Sequence, residues 1–198
     1  CDMVKGYYFT YSETQPIKFN PFFIGEGDTL DTEKKESIKT LLLALWKKGN
    51  ETYNRSEYVA LSNALQLYFD KLNNDKVIFP CFDTFYEFLK EDFVAILKGD
   101  NVKDKDFDVS NFLYVLRPYY KGGEFDYLLN AKENLDLLQQ RFIVFELDNI
   151  KDHPILFPVV TIIIMEVFIP KMRKLKGIRK MILIEEAWKA IAKEGMAE

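Results

Sequence analysis

The sequence predicts an α/β fold, with strand-forming stretches toward both ends and a block of helices between them. Three observations carry this. Residues 32–119 contain four apolar patterns at helical spacing. Residues 141–184 read as strand, long helix, strand, an order that implies parallel pairing through a right-handed crossover. Gly6–Tyr11 is aromatic and β-favouring, so it reads as a further strand.

Taken in order, the extended start continues through Gln15–Phe23, and the Asn20-Pro21 step marks its end, because proline biases its predecessor away from helix. Gly25-Glu26-Gly27-Asp28 is a loop without the Gly-Lys-Ser/Thr ending of a phosphate loop. Thr32–Lys48 is the first helix, with Ile38, Leu41, Leu42, Leu45 and Trp46 on one face, acids early, Lys47 and Lys48 late, and Gly49 as the stop. Ser56–Leu72, Asp83–Lys98 and Asp108–Tyr119 repeat the scheme, and four amphipathic helices with short connections make a compact helical subdomain. After Gly122-Gly123, the stretch Phe125–Leu129 reads as extended or as a turn edge. Arg141–Leu147 is a strong strand. Pro154–Leu175 is a helix with proline in its first turn, where no donor is lost. Residues 178–184 are the last strand.

Composition narrows the function classes. A chain of 198 residues with 48% hydrophobic residues can bury a large core. Its net charge of −4 excludes a generally basic nucleic-acid coat. Two cysteines and one histidine exclude a disulfide framework and a zinc centre. They fit reduced, cytosolic thiols. Ile155–Ile169 is almost wholly apolar, but it has only 15 residues and contains Pro158 and Glu166, whereas a membrane span needs about 20 apolar residues. It is read as a helix buried beside a sheet. The chain begins at Cys1, and a helix starts just before Glu198, so both ends are expected to be cut from a longer protein.

The chemistry concentrates at Met181–Trp188. Four apolar residues run into Glu185 and Glu186. A short, wholly apolar run suits a strand buried on both faces of a parallel sheet, and such sheets place ligands at their C-terminal edge. This is the layout of a Walker B strand in a P-loop ATPase, where one acid holds the water shell of Mg²⁺ and the next polarises the attacking water. The competing reading is a helix start, since the macrodipole alone favours acids there. Glu146 and Asp148 end the Phe142–Phe145 strand and are further candidates to face a nucleotide. His153, beside Asp152 and Pro154, is read as a residue of the helix start, and Cys81 as a small buried hydrophobe. The basic run Lys171–Lys180 is read as a solvated helix C-terminus, with a patch for phosphate, DNA or a neighbouring subunit as the alternative.

Five stretches in the same order resemble the cytoplasmic ATPase of conjugative type IV secretion systems, in the TraG branch carried by conjugative transposons. They are Lys5–Thr10, Ile17–Phe22, Gly122–Leu129, Arg141–Leu147 and Ile182–Trp188. The resemblance implies a partial RecA-like P-loop NTPase core carrying an all-helical insertion subdomain. Residues 1–30 would be N-terminal strands of the core, 31–121 the insertion, and 122–198 a βαβ part ending in the Walker B-like strand. It gives Glu186 the water-polarising role and Glu185 the Mg²⁺ side, through water. The usual Asp-Glu pair is Glu-Glu here, so Glu185 is one methylene longer than the pattern. No Gly-x-x-x-x-Gly-Lys-Ser/Thr occurs in the chain. By resemblance that loop lies N-terminal to Cys1, and the arginine acting across subunits lies after Glu198.

The resemblance further implies ATP and Mg²⁺ as cofactors of the intact protein, other type IV secretion components as partners, and self-association into a ring. Its location would be cytoplasmic, peripheral at the inner membrane, and DNA is a possible partner. The chain itself, without the phosphate loop, is expected neither to bind ATP tightly nor to hydrolyse it. The alternatives are a non-catalytic helical module that binds proteins and a coupling ATPase that pumps DNA.

Overall fold

The computed structural model describes residues 6–12, 16–24, 31–47, 51–75, 77–133 and 141–185. They form two compact units, one of residues 1–17 with 135–198 and one of residues 18–134. The divisions fall at 17/18 and 134/135. Residues 18–24 and 122–133 therefore belong with the helices, although the sequence suggested boundaries at 30/31 and 121/122.

In the first unit, β1 (Tyr7–Thr10) pairs in parallel with β2 (Ile143–Glu146), Tyr7 opposite Ile143 and Thr10 opposite Glu146. Both lie where the aromatic and β-branched runs predict strands. The Phe9 and Phe145 rings meet at 5.7 Å, and Phe145 meets Phe168 of α6 (Leu156–Lys174) edge-on at 5.8 Å. Leu156, Val159, Val160 and Ile163 are the buried stripe of α6, at the spacing of one helix face. Its first-turn proline is Pro158, whose missing N–H would have had no partner there; Pro154 lies in the preceding turn. Among the described residues no helix is long and apolar enough to cross a membrane.

Parallel pairing is present, but not where the sequence placed it. Residues 141–147 were expected to pair with 178–184 around α6. Instead β2 pairs with β1, and 179–184 join no ladder. Met181 is 91% and Leu183 79% exposed. A four-residue apolar strand is stable only when its backbone is paired and its faces are covered. Neither condition is met around 181–184 among the described residues.

The second unit is helical. The ends of its helices are fixed by local chemistry. Asp31 caps α1 (Thr32–Trp46) by accepting from the Lys34 N–H at 2.8 Å. Asn54 and Glu57 form a reciprocal capping box at α2 (Arg55–Asn74). Asp108 caps α5 (Val109–Leu116), which tightens into a 3₁₀ turn at Arg117–Tyr119. The third predicted helix is present as α3 (Phe82–Phe88) and α4 (Val94–Gly99), joined without a break by a π turn at Leu89–Phe93. The π turn has no signal in the apolar spacing, because Leu89 and Phe93 stay buried on the same face as Phe85.

Aromatic rings fill the core. Phe22 lies 5.1 Å from Phe85 and 5.6 Å from Tyr68, and Trp46 lies 5.2 Å from Phe112 while its Nε1 donates to Asn111 at 2.8 Å. Burial pushes the Tyr68 hydroxyl well above the usual phenol range, and Tyr119 up to about 12.

Two family-like stretches have structural roles in this unit. Asn20 is fully buried; its Nδ2 donates to the carbonyls of Pro80 at 2.8 Å and Ala131 at 3.0 Å, and its Oδ1 accepts from the Phe22 N–H at 2.9 Å. One side chain thus ties three distant segments. Phe125–Leu129 is a 3₁₀ turn over Asp126–Leu128, not an extended edge. Glycine is required at 123, since a Cβ there would sit 2.4 Å from the Pro118 carbonyl oxygen, which accepts from the Phe125 N–H. At Gly122 the backbone has φ +77°, a conformation glycine adopts without penalty.

Candidate functional site

Parallel strands end together, so β1 and β2 present residues 10–12 and 146–148 at one edge. That edge is where sheets of this kind bind ligands. β1 and β2 are tied there by Tyr11, whose N–H donates to the Glu146 carbonyl at 3.2 Å. Asn149 Nδ2 donates to the Tyr11 carbonyl at 3.0 Å, bridging the two chain ends a second time.

Glu146 and Asp148 are at this edge, as the sequence placed them, and both carboxylates are engaged locally. Glu146 Oε1 accepts from the Asp148 N–H at 3.0 Å, which holds the 3₁₀ turn Asp148–Ile150. Asp148 pairs with Lys151 at 2.6 Å. His153 follows, with its N–H donating to the Ile150 carbonyl at 2.9 Å. Its Nδ1 accepts from the Ile155 and Leu156 N–H groups at 3.2 and 3.0 Å. His153 therefore caps α6, satisfying donors that a helix start leaves unpaired. This agrees with its reading as a helix-start residue.

Glu185 is the last described residue. It is exposed, in a turn after an unpaired apolar stretch, and forms no hydrogen bond or ion pair among the described residues. Glu186, the expected catalytic carboxylate, lies outside the described residues. The structure thus places Glu146 and Asp148 at the sheet edge, and it does not bring Glu185 to them. Lys174, Lys176, Arg179 and Lys180 are exposed, as a solvated helix end requires. Cys81 is buried at the start of α3, in keeping with its reading as a small hydrophobe.

The sequence reading missed Asn149 and Asn20. Asn149 carried a signal: a polar pair, Asp148-Asn149, follows directly on an apolar strand, and such residues bond nearby backbone. Asn20 stands among Phe19, Pro21 and Phe22, and a polar residue in so apolar a setting must find partners when buried.

A charged corner in the helical unit stands apart from this edge in chemistry. Glu87 accepts from Lys121 and from the Tyr120 hydroxyl, which together hold its carboxyl below the usual range. Asp83 accepts from the Lys121 N–H at 2.8 Å, yet burial raises its pKa. Among the described residues, no three histidine, cysteine or acidic side chains are grouped so as to hold a metal ion.

A family model, the TraG P-loop domain, matches residues 1–198. No curated protein matches the chain.

Proposed function

Because the chain belongs to the TraG P-loop domain family, matched along all 198 residues, we propose that it is part of an ATPase that powers conjugative transfer through a type IV secretion channel. The family match is the observation that carries this reading. The acids Glu185 and Glu186, following an apolar run, add to it. In the intact protein we assign Glu186 to orienting the attacking water and Glu185 to the water shell of Mg²⁺. Self-association into a ring, beside other secretion components and at the cytoplasmic face of the inner membrane, belongs to the same proposal.

The residues of this chain do not form a triphosphate site by themselves. The sequence has no phosphate loop with its lysine, and the described residues offer no grouped metal ligands. Backbone N–H groups of such a loop supply most contacts to the phosphates. No hydrolytic step is therefore derived for this chain alone. Calorimetric titration of the 198-residue chain with Mg-ATP should give no micromolar binding; micromolar affinity would remove the claim that its nucleotide site is incomplete. In the intact protein, Glu186→Gln should abolish turnover and keep nucleotide bound. Turnover at the wild-type rate in that variant would take Glu186 out of the mechanism.

One observation favours a second reading. Residues 181–185 are exposed and outside any ladder, which is what a non-catalytic helical interaction module with a mere helix start at Glu185-Glu186 would show. Nucleotide-dependent protection of residues 181–185 from hydrogen exchange in the intact protein would decide for the ATPase.

A further inference from the structure

The inner face of α2 is spent on the core through Ala60, Leu61, Ala64, Leu65, Tyr68 and Phe69. Its outer face is not plainly polar, as a solvated helix face would be. Arg55, Val59, Asn63 and Leu67 follow one another at intervals of four and form one surface ridge. Asp70 lies a turn beyond Leu67. All five are exposed, Val59 by 46% and Leu67 by 36%. Beside the ridge runs a groove of ≈ 680 Å³ between α2 and α4, with Val59 and Leu67 on one wall and Ile96 on the other.

We infer that this ridge and groove form a two-fold contact surface for a second copy of the chain. The order of chemical types along the ridge selects that occupant. About Asn63 the ridge has the same pattern in both directions: Val59 and Leu67 lie four residues to either side, and a charge of opposite sign ends each arm. In an antiparallel copy, Val59 faces the other Leu67, and Asn63 faces its own counterpart. The Asn63 amide both donates and accepts, so it can pair with itself across an axis. Arg55 meets Asp70 of the second copy, and this happens twice. Lys71 sits close by but is drawn aside by its ion pair with Asp92 at 2.6 Å. Neither Arg55 nor Asp70 has an ion-pair partner among the described residues. A partner of uniform charge would satisfy one end of the ridge and oppose the other. A second copy satisfies both, as isologous contacts do. The ridge of each copy seats in the groove of the other, the ordinary way that helices pack.

The contact is small. A helix of 20 residues spans about 30 Å, and one helix face falls in the size class of transient interfaces. The association is therefore weak and reversible. Sedimentation velocity of the 198-residue chain, from micromolar to millimolar, should show monomer–dimer exchange. Arg55→Asp should weaken it roughly tenfold, and adding Asp70→Arg should restore it. In a Cys1→Ser background, Asn63→Cys should form a disulfide-linked dimer faster than Ser110→Cys, an exposed position on α5. The inference is overturned if the chain stays monomeric throughout. It is equally overturned if Arg55→Asp leaves association unchanged, or if Asn63→Cys cross-links no faster than Ser110→Cys.

Discussion

The helical unit and the strand unit are held by different kinds of information. In the helical unit nearly every element is specified twice, by its own caps and by an aromatic core that only one arrangement fills. Phe22, Phe82, Phe85, Phe93, Phe107 and Phe112 are all essentially inaccessible to water. In the strand unit the sheet has two strands, with Tyr8 and Phe142 largely exposed beside them and an apolar run at 181–184 with no ladder. Helices close their hydrogen bonds within a few residues; strands depend on neighbours far away in the chain. A stretch can therefore have full strand character and still lack the partner that would make it a strand.

The largest expected effects test this contrast through paired ring deletions. Phe22→Ala removes a fully buried ring that meets Tyr68, Phe69 and Phe85. It should cost about 4 kcal/mol, the range for a buried phenylalanine. Phe145→Ala removes a partly exposed ring that touches Phe9 and Phe168. It should cost about 1 to 2 kcal/mol, since less area leaves water on folding. Urea unfolding followed by circular dichroism measures both. Equal costs for the two variants would mean that the strand unit is as tightly specified as the helical one.

What was legible in the sequence follows the same division. The four helical segments of residues 32–119 and the strands at Tyr7–Thr10 and Ile143–Glu146 lie where periodicity and β-propensity put them. Strand pairing was not legible. Proximity in sequence favoured 141–147 with 178–184, whereas β1 finds β2 across more than 130 residues, and nothing in either run encodes that partner. At the sheet edge, Glu146 and Asp148 were visible as acids ending a strand. Their engagement with the Asp148 N–H and Lys151 was not, because turn geometry decides it. His153 could be read because its neighbours Asp152 and Pro154 mark a helix start.

The edge of the strand unit can be loosened without touching its core. Asn149→Ala removes the bond to the Tyr11 carbonyl, and His153→Ala removes the acceptor for two N–H groups of α6. Each should cost about 1 kcal/mol. Hydrogen exchange locates the effect: His153→Ala should speed exchange at Leu156 and its neighbours and leave α2 unchanged. Faster exchange throughout α2 would show that the two units do not respond separately.

The smallest effect sharpens the contrast from the helical side, where charge is a minor contributor. Glu87 has a folded-state pKa below its unfolded value, chiefly through its bond from Lys121 and then through Tyr120. Its contribution is thus complete above the unfolded pKa and is lost as pH falls through the lower folded value. Because both partners are well exposed, at 38% and 62%, it should amount to only tenths of a kcal/mol. Asp83, a few residues away on α3, has the opposite sign. Burial raises its pKa, so the stability tied to its neutral form is present below the unfolded pKa and is lost as pH rises through the folded one. Melting temperatures therefore separate the two. Glu87→Gln should lie below wild type near neutrality and merge with it below about pH 4, where carboxylates protonate. Asp83→Asn keeps an acceptor for the Lys121 N–H and should gain on wild type as pH rises. If both variants track wild type in parallel from acid to neutral, the corner carries no net charge contribution, and caps and aromatic packing alone account for the stability of the helical unit.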